Sequence, residues 1–182
     1  VAFHPQHLAI ITSANNDTLA EVVIAVALLW IIRYLQTDNI PIWQLGLIMA
    51  VGLMTKTTTY FLAGIIPLAI LLKWYQLKRP TRDLIQEWAV FLAIAVGIGG
   101  LWWLRNIGVY GFPDFLGLRA HDAIVADQLR TADYIAEHGI NVYRSEMMRV
   151  TFNSFWGQFG WMAVPLDDVL GGWVYRGFAS LM

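Results

Sequence analysis

Cysteine is missing from all 182 residues, so the chain can form neither a disulfide nor a thiolate metal site. Charge is scarce too. Asp, Glu, Lys and Arg make up 14% of the sequence, against about 25% in a soluble domain. The formal net charge of -1 offers no argument for a nucleic-acid partner. Apolar residues fill the deficit: 58% of the chain is hydrophobic, with 9 Trp and a mean hydropathy of +0.54. That composition implies a polytopic membrane protein whose main partner is the lipid bilayer. A phosphate-cradling glycine loop is absent as well. Gly97, Gly99 and Gly100 have no strand before them and no Lys after them, so they read as a helix-packing surface. There is no internal repeat and no low-complexity tract.

The apolar runs predict an all-α transmembrane bundle. Spans are expected at about 19–35, 41–55, 58–73 and 88–104, with the start of another near 166–182. The second and third are short and meet at Thr55-Lys56-Thr57. They read as two spans joined by a tight polar turn, with a re-entrant pair of half-helices as the rival. Pro67 is tolerable inside a membrane helix. Residues 73 to 87 read as a polar, basic loop. Residues 105 to 165 read as a long loop on the opposite side. Within that loop Val125, Leu129, Ala132 and Ala136 recur at helical spacing and predict an amphipathic helix over 119–138. Phe152, Phe155, Trp156, Phe159 and Trp161 read as an interfacial aromatic belt. The chain opens on Val1 rather than an initiator Met, and an apolar stretch begins shortly before Met182. It is therefore expected to be a piece of a longer membrane protein.

Arg33, Lys73, Lys78, Arg79 and Arg82 fall on one side of this topology, and the positive-inside rule assigns that side to the cytoplasm of a cell membrane. Three polar groups then meet on the outer side: Asn16 with Asp17, Lys56, and Arg105 with Asn106. One acid and two cations at neighbouring helix ends suit an anionic head group, since Arg offers a planar fork and Lys a point charge. Each also has a structural explanation. Thr18-x-x-Glu21 fits a helix capping box, Asp17 favours the positive end of a helix dipole, and Lys56 and Arg105 can snorkel to the interface. His4, His7, His121 and His138 lie on the same side, so a divalent metal on Asp17 and an imidazole is chemically conceivable, although no spacing motif supports it. Asn16-Asp17-Thr18 matches the glycosylation acceptor pattern, but lying against the membrane it is not expected to be modified. No Ser has a partnered His and acid, so a hydrolase triad is not expected.

Four stretches together resemble the GT-C class of multi-spanning glycosyltransferases, the group that holds protein O-mannosyltransferases and lipid A aminoarabinose transferases. They are Asn15-Asn16-Asp17-Thr18-Leu19, Gly52-Leu53-Met54-Thr55-Lys56, Trp102-Trp103-Leu104-Arg105-Asn106 with Tyr110-Gly111, and Ser154-Phe155-Trp156-Gly157-Gln158-Phe159-Gly160-Trp161. The likeness is greatest to the less characterised bacterial members. It implies transfer of a sugar from a polyprenyl-phosphate donor to an acceptor on the outer face, with inversion. It further implies that Asp17 is a support or metal residue, that Asn16, Lys56, Arg105 and Asn106 hold substrate, and that the main catalytic acid lies in a loop before Val1. Gly111-Phe112-Pro113 departs from the small polar pattern usual after Tyr-Gly in the class. Two other readings stay open: a transporter or flippase for a lipid-linked or small anionic substrate, and a non-catalytic membrane subunit.

Overall fold

The computed structural model describes residues 7–9, 12, 16–37, 39–125, 130–159 and 164–180. The chain divides into two compact units, Asn16–Ile124 and Val1–Asn15 with Val125–Met182.

The first unit is a helical bundle. Its elements are α1 (Asp17–Gln36), α2 (Ile42–Thr55), a 3-10 turn (Thr57–Phe61), α3 (Leu62–Leu77), α4 (Thr81–Tyr110) and α5 (Leu118–Ile124). Helix α1 carries Asp17 in its first turn and Arg33 in its last, each at the end of the dipole that favours its charge. Val23, Ala27, Ile31 and Tyr34 form its buried stripe, at the spacing of one helix face. Leu19, Val22, Leu29 and Ile32 leave apolar side chains exposed on the outside, as contact with lipid requires. Leu45 and Met49 of α2, Leu62, Ile66 and Ile70 of α3, and Phe91 and Ala95 of α4 complete the core.

Three segments are long and apolar enough to cross a membrane: Asp17–Gln36, Thr57–Leu77 and Thr81–Tyr110. Helix α2 has 14 residues. At 1.5 Å per residue it is ~21 Å long, short of a ~30 Å hydrocarbon core. By length, then, there are three candidate spans among the described residues rather than four and the start of a fifth. The end of α2 nevertheless meets the start of α1. Its last carbonyl, Thr55 O, accepts a bond from Asn16 Nδ2 at the start of α1, 2.9 Å away. The chain then turns back into α3, whose Lys73 reaches the far end of α1. Thus α2 and α3 are antiparallel, as expected of a tight polar turn.

Glycine lets α2 and α4 approach closely. A Cβ on Gly46 would sit 3.0 Å from Ile94 Cβ, and one on Gly99 would sit 2.7 Å from Leu53 Cδ1 and 3.2 Å from Ala50 Cα. Residue 46 therefore lies beside 94, and 50 to 53 beside 99, so α2 and α4 run parallel. Of the three expected packing glycines, Gly99 meets the neighbouring helix. Gly97 faces open space, and Gly100 meets only Val96 and Trp103 of its own helix.

Several boundaries differ from expectation. Residues 73 to 87 are not a loop: α3 runs to Leu77, Lys78 takes the left-handed conformation at φ 50°, and α4 resumes at Thr81 after Pro80. The charges there do not mark a loop, because Lys73 and Glu87 point at partners rather than at water. The amphipathic helix over 119–138 is two pieces, α5 and α6 (Thr131–His138), and Leu129 lies outside the described residues.

In the second unit α6 is followed by α7 (Ile140–Trp156), paired strands β1 (Gln158–Phe159) and β2 (Val164–Pro165), α8 (Leu166–Leu170) and α9 (Val174–Ala179). The strands are antiparallel, with Gln158 opposite Pro165. Among the described residues the expected start of a span near 166–182 is two short helices: α8 and α9 have 5 and 6 residues and are separated at Gly171, whose φ of +99° ends the helix. The loop expected over 105–165 is thus largely helical. Its aromatic residues build a small core. Phe152, Trp156 and Phe178 pack on Leu166, Val174 and Tyr175, with Trp156 and Phe178 stacked at 4.3 Å. Phe155 is exposed, and Trp161 lies outside the described residues.

Candidate functional site

The turn after α2 is built by capping. The last carbonyls of a helix lack partners within it. Thr59 Oγ1 lies 2.6 Å from Gly52 O and 2.7 Å from Lys56 O and donates its one hydrogen between them, Tyr60 Oη donates to Leu53 O at 3.1 Å, and Thr55 Oγ1 donates to Val51 O at 2.7 Å. The threonine run is therefore first a C-terminal cap, and it fixes the backbone of Lys56 in an extended conformation. From there Lys56 Nζ donates to Asp17 Oδ1 as an ion pair. Lys56 and Asp17 remain 30% and 36% exposed, so the pair faces the surface and a ligand has access to it. Asn16 is the N-cap residue of α1, and Thr18 already lies inside the helix, so Thr18 and Glu21 do not form the expected capping box at its start.

The last turns of α4 lie at the same end. Trp103 Nε1 donates to Tyr60 Oη at 3.1 Å, and the two rings meet edge to face. Trp103 in turn meets Phe115 edge to face at 5.9 Å. Asn106 is buried, and its Nδ2 donates to Phe115 O at 3.0 Å. Its Oδ1 accepts from Arg105 Nη1, also at 3.0 Å. The Arg105 guanidinium lies 5.2 Å from the Trp102 ring and 5.8 Å from the Tyr110 ring. Arg105 is exposed, held by one amide oxygen and two aromatic faces.

All five expected residues, Asn16, Asp17, Lys56, Arg105 and Asn106, thus lie at one end of one unit. They form two clusters. Asn16, Asp17 and Lys56 tie α1 to α2, while Asn106 anchors the segment after α4 and orients Arg105. Asn106 is buried and bonded to Arg105. Tyr60 and Trp103 connect the clusters; Trp103 belongs to the Trp102–Asn106 stretch, whereas Tyr60 was not expected, and its hydroxyl beside a threonine run was the available signal. Asp114 is a further unanticipated residue. It is buried and accepts the amides of Arg119 and Ala120 at 3.2 and 2.9 Å, capping α5. Burial raises its carboxyl pKa, but the amides of Ala120, Arg119 and Leu118 and the charge of Arg119 outweigh burial and leave it below the ordinary value.

Among the described residues no three His, Cys, Asp or Glu side chains cluster as metal ligands, and His4 lies outside them. A second polar network occupies the opposite end of the bundle. Lys73 is 4% exposed, and its Nζ donates to Tyr34 O at 2.6 Å and Thr37 O at 3.0 Å, closing the C-terminus of α1. Tyr34 Oη donates to Glu87 Oε2 at 2.8 Å, and Arg79 Nη1 donates to Glu87 Oε1 at 3.0 Å.

No family model, curated protein or solved structure matches this chain.

Proposed function

We propose that the Asp17 end of the bundle serves a membrane glycosyltransferase that uses a polyprenyl-phosphate sugar donor on the outer face of a cell membrane. The observation that carries this reading is the surface-facing Lys56–Asp17 pair at the same end as an exposed, aromatic-held Arg105. In such a transfer the acceptor oxygen bonds to the anomeric carbon as the bond from that carbon to the phosphate oxygen breaks. The electron pair leaves with the lipid phosphate, and the acceptor proton passes to a base. Two cations beside the phosphate stabilise the charge that builds on it. Lys56 and Arg105 take that role, and Asp17 supports Lys56 by holding its ammonium in place. Asn106 positions Arg105. Asn16 holds the Thr55 carbonyl and so the turn that carries Lys56.

Support is chemical rather than genealogical: the cations are of the kinds that bind phosphate, and they sit where apolar helices meet polar chain. The test is transfer from a polyprenyl-phosphate sugar by Asp17→Asn and Arg105→Ala variants that express and fold as wild type does. Both are expected to lose transfer. Full activity in both removes the assignment.

A further inference from the structure

The hairpin of α6 and α7 contains a groove that the bundle chemistry does not use. It has a volume of about 370 Å³ and is lined by Arg130, Thr131, Tyr134, Tyr143, Glu146, Met147 and Val150. Small-molecule sites span roughly 300–1,000 Å³, so this one suits a small ligand. Its walls are of three kinds. Met147 and Val150 are apolar. Tyr134 and Tyr143 meet at 61° with centroids 6.4 Å apart, forming an aromatic corner. Arg130, Thr131 and Glu146 supply donors and acceptors along the lip.

The polar and aromatic groups are held in place. Tyr134 is stacked on His138 at 4.4 Å and 14°, and His138 does not line the groove, so the stack fixes the ring from behind. Glu146 is held by Arg149 one turn on, mainly through Oε2, which accepts Nη2 at 2.6 Å and Nε at 3.2 Å. Its Oε1 has a longer contact of 3.4 Å with Arg149 Nε and is the better placed to accept from a ligand.

We infer that this groove binds a pyranose ring of a carbohydrate. Such a ring has an apolar C–H face that suits an aromatic corner, and hydroxyls at its edge that suit a carboxylate, a threonine and a guanidinium. The groove's volume, near the lower limit for such sites, favours a mono- or disaccharide. The inference rests on the groove alone and holds whether or not the Asp17 end transfers sugar.

The test uses the whole chain in lipid nanodiscs, because sugar-based detergents would compete. Saturation-transfer NMR is recorded with methyl α-D-glucopyranoside and methyl β-D-galactopyranoside, with inositol-free buffer as the blank. At least one pyranoside is expected to receive saturation at its ring protons. Tyr143→Ala and Glu146→Gln are each expected to weaken binding by tenfold or more, while Tyr75→Ala, in a separate surface groove beside Trp74, leaves it unchanged. Thermal unfolding confirms that the variants fold. Absence of signal from both pyranosides with wild type, or equal binding by folded Glu146→Gln, overturns the inference. Neither result bears on transfer at Asp17, and loss of transfer in Arg105→Ala leaves the groove standing.

Discussion

Replacing one glycine of α4 by alanine should destabilise the bundle, while replacing another two residues away should not. Gly99 packs against α2, where a new Cβ would meet Leu53 Cδ1 at 2.7 Å, Leu53 Cβ at 3.0 Å and Ala50 Cα at 3.2 Å. The end of the Leu53 side chain can rotate away, but its Cβ and the Ala50 backbone move only if the helices part. Overpacking of this kind costs about 1–3 kcal/mol. Alanine returns up to about 1 kcal/mol through its better helix propensity. Gly99→Ala is therefore expected to lose roughly 0.5–2 kcal/mol net. At Gly97 nothing lies within 4 Å of the new methyl group, so Gly97→Ala should be neutral or gain up to about 1 kcal/mol. The assay is reversible unfolding in mixed micelles with increasing denaturing detergent, read by tryptophan fluorescence. A Gly99→Ala protein as stable as Gly97→Ala would refute the close packing of α2 on α4.

Other outcomes follow from the same contacts. Lys73→Met removes the charged donor that serves Tyr34 O and Thr37 O. Hydrogen bonds to charged groups are worth about 1.5–3 kcal/mol, and a loss of that size is expected in the same unfolding assay. Tyr175→Phe removes the hydroxyl that donates to Gly157 O at 2.7 Å and accepts Leu166 N at 2.8 Å. Hydrogen exchange should quicken at Leu166, with a local cost of about 1–3 kcal/mol. Asp114 has a folded pKa below its unfolded value. Its contribution is therefore present above the unfolded value and is lost as pH falls through the folded one. Protection of the Arg119 and Ala120 amides should fall on acidification in wild type, and Asp114→Asn should remove that pH dependence.

Much of the bundle was legible because apolar runs and their polar punctuation survive in sequence. The Thr55-Lys56-Thr57 turn was visible as a turn, since threonine hydroxyls and a lysine interrupt hydrocarbon. What the turn does with those hydroxyls was not visible: Thr59 and Tyr60 reach back seven residues to carbonyls that only the three-dimensional turn exposes. The Lys73 region reads as a loop in sequence, yet Lys73 and Glu87 point at partners rather than at water. A lysine that caps a helix end inside the bundle looks the same in sequence as one in water. The extent of α2 posed a similar problem, since 14 mostly apolar residues do not reveal that their end is tied to Asn16. The meeting of Asn16, Asp17, Lys56, Arg105 and Asn106 at one end followed from alternating helices. Their division into two clusters depended on Asn106 bonding forward to Phe115, a contact nine residues away. The α6–α7 groove left no periodic trace, because Tyr134, Tyr143 and Glu146 converge only across a hairpin.

The most direct measurement of the proposed activity is made on the purified protein in liposomes, given a polyprenyl-phosphate donor with a radiolabelled sugar and an extract of candidate acceptors. The account predicts label in a new glycosidic product, abolished by Lys56→Ala with Arg105→Ala. Label that crosses the bilayer still attached to its lipid, with no product formed, would contradict it and favour a transporter.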